Sequence, residues 1–491
     1  MVERTIESEN RQGSMAVADS TEGDTREFGR SGGGEPDYAP LLDRLRATFR
    51  SGRTKDLAWR RRQLENLLRL LDDHEDELNR ALHDDLRRPP FEAYAGDIGN
   101  TKGEIKHLLK HFARWARPTK VRPPLSHQPA TARIIAEPLG VGLIISPWNY
   151  PIHLLLAPLA AALAAGNCAV VKPSELAPAS SALLARLLPR YLDTDAVAIV
   201  EGAVPETTAL LELAFDHIFF TGSTAVGRVV MEAAARHLTP VVLELGGKSP
   251  TIVAADADLD VTAHRIVFGK HLNAGQTCIA PDYVLVEESV RDQLVEKMTD
   301  VIAEFNSATQ ESPDYCRIIN DRHFRRLSGL LETSGGTVVT GGALDQATRF
   351  VPPTIIVDPD RDAALMQEEI FGPLLPVLTV ESVDEAIQFV NDRPKPLALY
   401  VFSSSGDTAD RVVNETSSGG ACVNHTLLHQ TLSELPFGGV GPSGMGAYHG
   451  RAGFEAYTHR KSVLDKSTRI DPPMLYPPYN SLKERIIKAA L

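Results

Sequence analysis

Cys278, Glu244 and Asn149 are the side chains whose types and settings could make and break covalent bonds. Cys278 lies in the segment Asn273–Tyr283, a loop expected between a helical stretch and a strand. Gly275 permits a tight turn there, and the polar neighbours Gln276 and Thr277 are poor core formers, a setting that suits an exposed thiol. Cys168, Cys316 and Cys422 read instead as small buried hydrophobes. Glu244 closes the apolar run Val241–Leu243 and opens onto Leu245, Gly246, Gly247 and Lys248. A carboxylate at a buried strand end is either a general base with an elevated pKa or half of a salt bridge, here with Lys248. Asn149, between Pro147 and Pro151, could aim its amide at a developing oxyanion or cap a turn.

Two glycine-rich stretches compete as phosphate sites. Gly439 to Gly444 has the G-x-G-x-x-G spacing, but Leu435-Pro436-Phe437 precedes it and Pro442 interrupts it, so the strand and helix that a dinucleotide fingerprint needs are missing. Phe219 to Gly227 runs from a strand into a helix, where Ser223 and the adjacent backbone N–H groups could hold a pyrophosphate.

The elements that must position these residues follow from periodicity. Leu64, Leu67, Leu68, Leu71, Leu78 and Leu82, and then Ile98, Ile105, Leu108, Leu109, Phe112 and Trp115, recur at helical spacing and predict two core-facing stripes. Arg60, Arg61 and Arg62, with Lys106, Lys110 and Arg114, are expected on solvated faces. Past Pro118 to Pro124, apolar runs at 141–145, 169–171, 196–200, 218–220 and 241–243 alternate with Ala- and Leu-rich segments of helix length. That alternation predicts a parallel sheet covered on both faces. A second series places strands at 251–254, 283–286, 354–357, 398–402 and 421–424, with helices at 290–305, 383–390 and 408–414. Two α/β domains with a cleft between them follow, and Lys172, Thr221 to Ser223 and Glu244 fall at carboxyl ends of strands, where such sheets bind ligands.

Composition narrows the function classes. The 491 residues exceed one ordinary core, and 51 Lys and Arg against 64 Asp and Glu, a net charge of -13, disfavour nucleic acid as a partner. Four cysteines without a CxxC pair leave no disulfide framework or zinc site and predict a reduced, cytoplasmic protein without a metal. The apolar stretch 152–165 is shorter than the roughly 20 residues that cross a bilayer and contains Pro158, so it predicts a buried helix. Residues 1–38, with nine acidic and four basic side chains and a Gly32–Gly34 run, are expected to be disordered.

From about residue 40 onward the chain resembles the aldehyde dehydrogenase superfamily. The resemblance rests on Pro147-Trp148-Asn149, Lys172-Pro173-Ser174-Glu175, Phe220-Thr221-Gly222-Ser223, Glu244 to Lys248, Gly275 to Cys278 and Glu368 to Pro373, in that order. The segments 436–441, 446–450 and 476–479 are similar to the class 3 branch, which includes fatty, aromatic and coniferyl aldehyde dehydrogenases. The resemblance implies an α/β fold of two doubly wound parallel-sheet domains. The dinucleotide-binding, Rossmann-like domain would span 39–119 and 136–246, and the catalytic domain 247–455. Oligomerisation strands would lie in 120–135 and 456–470, ahead of a tail at 471–491.

It further implies oxidation of an aldehyde to a carboxylic acid through a thiohemiacetal and a thioester on Cys278, with Asn149 and the Cys278 N–H as oxyanion donors and Glu244 activating water. Trp148, Lys172, Glu175, Thr221, Gly222, Ser223, Gly246, Glu369 and Phe371 would contact NAD, with NADP also possible. Lys172 and Glu175 would hold the adenine-side ribose, Ser223 the pyrophosphate and Glu369 the nicotinamide ribose. Tyr150, Leu154 and residues 424–435 would line a channel for a medium- or long-chain aliphatic or an aromatic aldehyde. The 439–444 motif becomes a structural loop, and a homodimer is implied. Lys483, Glu484, Arg485 and Lys488 in the last residues argue against an apolar membrane anchor. The alternatives are a cysteine-dependent esterase or acyltransferase and a coenzyme-A-acylating aldehyde dehydrogenase.

Overall fold

The computed structural model describes residues 36–305, 309–471 and 473–490. The disorder expected for residues 1–38 lies, for residues 1–35, outside the described residues. In chain order the strands are β1 Thr119–Val121, β2 Ala130–Pro138, β3 Val141–Ile145, β4 Cys168–Lys172, β5 Val197–Ile199, β6 His217–Thr221, β7 Val241–Glu244 and β8 Pro250–Val253. They continue as β9 Tyr283–Glu287, β10 Thr337–Thr340, β11 Thr354–Val357, β12 Leu374–Val380, β13 Ala398–Phe402, β14 Gly420–Val423, β15 Gly444–Met445 and β16 Thr458–Lys466.

Among the described residues these strands form three sheets. The first has the order β15-β7-β6-β3-β4-β5 and is parallel except for β15. The second runs β10-β11-β12-β9-β8-β13-β14 and is parallel except for β10. The third, β1-β2-β16, is antiparallel, and its long pair runs from Thr458↔Pro138 to Lys466↔Ala130. In the first sheet the chain steps outward from β3 through β4 to β5 and then returns to the other side of β3 as β6 and β7. The crevice at the ends of β3 and β6 is therefore a topological switch point.

The carboxyl end of the first sheet meets the amino end of the second. A Cβ on Gly246, just past β7, would overlap the Glu369 carboxylate ahead of β12, and one on Gly247 would stand 3.2 Å from the Pro396 backbone ahead of β13. Gly439 to Gly444 is a closing turn on this junction: Leu245 N–H donates to Ser443 O (3.1 Å), and β15 pairs Gly444 with Glu244. It makes no strand-to-helix turn of the dinucleotide type.

Helices cover the sheets. His153–Ala165 is buried along its whole length despite Pro158, and no helix among the described residues is long and apolar enough to cross a membrane. Leu57–Asp73 starts at Asp56, whose carboxylate accepts the Ala58 and Trp59 N–H groups. Arg61 and Arg62 are exposed, as are Lys106, Lys110 and Arg114, but Arg60 is buried. The Arg60 guanidinium donates to Thr54 O (3.0 Å), Ala164 O (3.2 Å) and Lys55 O (3.2 Å), and fills the space beside Gly166, which ends the His153–Ala165 helix at φ 95. Its neighbours in sequence gave it a solvated reading; three carbonyls distant or at the helix start make it a buried fastener.

Periodicity missed β10, β12 and the helix Asp321–Glu332. Within β12, Pro376 stands opposite Ile356 of β11, and the pairing with β9 begins one residue later, at Val377↔Val284. The charged tail also folds locally, as a helix over Ser481–Ala490.

Candidate active site

The Cys278 loop is built on unusual backbone. Asn273 (φ 52), Ala274 (φ 51) and Gly275 (φ 71) follow one another in the left-handed region, a conformation costing non-glycine residues on the order of 1 kcal/mol or more each. A dense polar lattice holds it. Gln276 donates to Asn273 O (2.9 Å) and Arg317 O (3.1 Å) and accepts the Ile319 N–H (3.0 Å). Asn273 Nδ2 donates to Asn149 O (3.0 Å) and Gln276 O (3.0 Å), and its own N–H donates to the Glu92 carboxylate (2.8 Å). Gln276 and Thr277 are thus buried and satisfied, which corrects the expectation that their polarity marks an exposed loop.

Cys278 itself is half-buried. Burial raises its thiol pKa first, then the negative charges of Glu369 and Glu244, while the N–H groups of Cys278 and Ile279 act in the opposite direction. Burial therefore favours the protonated thiol, and the side chain is half-buried where the loop composition suggested an exposed one.

Asn149 is buried beside this loop and donates through Nδ2 to Gln276 O (3.1 Å), which leaves the second amide N–H uncommitted. Its main chain is fastened by Arg88, which donates to Asn149 O, pairs with Asp97 and lies 4.6 Å over the Tyr150 ring. Asp97 Oδ1 in turn accepts the N–H groups of Ile152 (3.1 Å) and His153 (2.8 Å). Neither Arg88 nor Asp97 carries a local sequence signal for this role.

Glu244 ends β7 with both carboxylate oxygens buried and without a hydrogen-bond partner among the described residues, and burial raises its pKa well above the usual range. The open alternative of a Lys248 pair is resolved, because Lys248 Nζ pairs with Asp282 (2.5 Å) and donates to Leu365 O (2.8 Å) and Glu368 O (2.7 Å). Asp282 also accepts the Ile370 N–H (2.9 Å), and Arg326 donates to Glu369 O (3.2 Å) and Ile370 O (2.5 Å). These three side chains, Lys248, Asp282 and Arg326, pin the segment that carries Glu369 and Phe371. Glu369 is raised to about 8 by burial and by the Asp282 charge, and its Oε1 has no partner among the described residues. Nearby Lys270, buried with an unpartnered Nζ, is pushed down to about 8, chiefly by burial.

Across the first sheet, Lys172 Nζ at the end of β4 donates to Pro173 O (3.0 Å) and Glu175 (3.1 Å). Ser223 caps the helix Thr224–His237, accepting the Val226 N–H (3.4 Å), so its hydroxyl proton remains available. The Thr221 hydroxyl is buried and unpartnered, and Gly222 leaves room for the Phe220 ring, 2.6 Å from where a Cβ would stand. Trp148 contacts the Phe371 ring (5.3 Å) and the His323 ring (5.1 Å). An open helix N-terminus, a Lys–Glu pair and two orphaned polar atoms, on Thr221 and Glu369, fit a dinucleotide with phosphates and ribose hydroxyls.

A mainly apolar cavity of ≈ 930 Å³, its mouth included, reaches Cys278 past Tyr150, Leu154, Phe268, Leu427 and Phe437. The Tyr150 hydroxyl pairs with Thr277 Oγ1 (2.8 Å). Of the segment 424–435, Leu427, Leu428, Gln430 and Thr431 line this cavity.

A family profile described as Aldehyde dehydrogenase family matches residues 23–463. The chain is 50% identical to mouse (Mus musculus) aldehyde dehydrogenase family 3 member A2 over 443 residues, 90% of this chain and 91% of that protein. It is 47% identical to the dog (Canis lupus familiaris) aldehyde dehydrogenase named dimeric NADP-preferring, over 89% of this chain and 97% of that one. The solved structure of Staphylococcus aureus AldH in its substrate-bound state superposes with a TM-score of 0.89 at 45% identity, covering 92% of this chain and 98% of that chain. The chain belongs to the aldehyde dehydrogenase family, in its class 3-like branch, and oxidises aldehydes with NAD(P).

The raised Glu369 carboxyl makes stability depend on pH. Between its ordinary value of 4.5 and about 8 the folded protein keeps a proton that the unfolded chain releases. The stability tied to Glu369 is therefore fully present below pH 4.5 and is lost as pH rises through about 8. Glu369→Gln should flatten the decline of coenzyme-free stability over this window, read from urea midpoints against pH. An unchanged decline would mean that Glu369 titrates as an ordinary carboxylate.

Proposed function

We propose that Cys278 is the nucleophile of this dehydrogenase and that Glu244 is the base that releases the product. The observation that carries the reading is the pair of buried, unpartnered Glu244 oxygens within electrostatic reach of the Cys278 thiol. Once its proton has passed to solvent, Cys278 attacks the aldehyde carbon as a thiolate, and the spare Asn149 amide N–H with the Cys278 N–H stabilises the oxyanion. Bound NAD(P) would supply the hydride acceptor needed when the thiohemiacetal loses hydride and becomes a thioester. Glu244 then removes a proton from the water that attacks the thioester carbonyl, and the Cys278 sulfur leaves. Because burial favours the neutral Glu244 carboxyl, deacylation accelerates as pH rises through the titration of that group.

Lys172 and Glu175 would hold the adenine-side ribose, Ser223 with the adjacent N–H groups the pyrophosphate, and Glu369 the nicotinamide ribose, with Phe371 and Trp148 packing at that end. The apolar lining supports medium- or long-chain aliphatic and aromatic aldehydes as substrates. The four free cysteines support a cytoplasmic setting.

Cys278→Ala should abolish aldehyde-dependent NADH formation; retained turnover would remove the thiol from the reaction. Glu244→Gln should give one burst of NADH per site followed by near arrest, seen by stopped-flow absorbance, and unimpaired steady-state turnover would remove the base. The exposed β1-β2-β16 sheet offers two unpaired edges of the kind that join subunits, which supports a homodimer. Sedimentation should then give about twice the 53.4 kDa chain mass, and a monomer at micromolar concentration would refute the dimer.

A further inference from the structure

The cavity above Cys278 is mainly apolar, and three of its polar lining residues, Asn100, Gln430 and His153, form a chain of hydrogen bonds. The proposed chemistry does not use it. Asn100 Nδ2 donates to Gln430 Oε1 (3.2 Å), Gln430 Nε2 stands 3.2 Å from His153 Nε2, and His153 Nδ1 stands 3.1 Å from Thr101 Oγ1.

A proton inventory sets the direction of the chain. Thr101 spends its single hydroxyl proton on Asp97 O (2.6 Å), so its oxygen accepts from His153 Nδ1–H. Burial pushes His153 down to about 4, so the ring is neutral at physiological pH and Nε2 carries no proton. Nε2 therefore accepts from Gln430, which turns Gln430 Oε1 toward the Asn100 amide. Left over are one N–H on Gln430, one N–H on Asn100 and the Asn100 Oδ1, none of them with a partner among the described residues.

Both amides are half-buried and line the cavity, so the leftover groups are open to whatever enters it. Gln430 lies in the turn Leu428–Thr431, and Leu428 is 45% exposed, as Phe91 is 78% exposed; these two side chains mark the mouth. Cys278 lies at the inner end. The leftover donor and acceptor therefore serve the part of a substrate farther from its aldehyde carbon.

We infer that the Asn100–Gln430 pair selects aldehydes carrying a hydroxyl group toward the end distant from the aldehyde, an inference that rests on the proposed role of this cavity as the aldehyde channel. A hydroxyl both donates and accepts, matching the leftover N–H and Oδ1. An unsubstituted chain strips water from two amides and gives them nothing in return, which is how a hydrogen-bonding wall discriminates.

The test compares kcat/KM at saturating NAD for octanal with ω-hydroxyoctanal and for phenylpropanal with its para-hydroxyphenyl analogue. The wild type should favour the hydroxyl member of at least one pair by about tenfold, through a lower KM with kcat little changed. That ratio should fall to near one in Gln430→Met and in Asn100→Leu, two independent substitutions that keep side-chain bulk. Equal efficiency within both pairs in the wild type would overturn the inference, as would a hydroxyl preference that survives both substitutions. Wild-type octanal oxidation separates the two levels: no NADH from any aldehyde would sink the channel reading, whereas oxidation without discrimination sinks only the selectivity of this wall.

Discussion

The buried ion pair between Arg88 and Asp97 is the contact on which the geometry of the site depends. Both side chains are fully shielded from water, an arrangement that is expensive unless the charges are paired and their remaining polar atoms are bonded. Here Asp97 accepts two backbone N–H groups from 152–153, and Arg88 donates to the carbonyl of Asn149 while packing on Tyr150, leaving only its Nε without a partner among the described residues. Gly96, one residue before Asp97, leaves the room that the Tyr150 ring occupies, 2.8 Å from where a Cβ would stand. The pair thus ties the segment around residues 88–97 to the 149–153 turn, and Asn273 ties that same turn to the Cys278 loop. Removing one charge would leave the other buried and uncompensated, a loss of about 3–5 kcal/mol.

Carboxylates divide into two kinds around this frame. Asp97 and Asp282 are saturated with donors and hold loops in place. Glu244 and Glu369 keep unpartnered oxygens, stand close enough to Cys278 to raise its thiol, and are themselves raised by burial. Asp97 and Asp282 are committed to donors that fix loops, whereas burial raises Glu244 and Glu369 and leaves them with oxygens free to take or give a proton. The same contrast separates Lys248, committed to Asp282, from Lys270, buried without a partner.

Much of this was legible in the sequence because it is local. Runs such as 141–145 and 398–402 are strands, and the motifs around Lys172, Ser223, Glu244 and Cys278 sit at strand ends where alternation put them. Long-range partnerships were not legible. Arg88 meets Asn149 across 61 residues, Gln276 meets Arg317 across 41, and Arg326 meets Glu369 across 43, and no spacing rule reports such contacts. The misread residues share this cause. Arg60 and Gln276 look like surface residues by type, and only distant carbonyls and amides make them interior.

The most direct measurement is the single-turnover rate of NADH formation in Asp97→Asn, with NAD affinity read in parallel by fluorescence. If the Arg88–Asp97 pair sets the position of Asn149 against Cys278, the rate should fall by at least about tenfold while NAD affinity, assigned mainly to Lys172, Glu175 and Ser223, stays near the wild-type value. A folded variant that binds NAD and forms NADH at the wild-type rate would contradict that dependence.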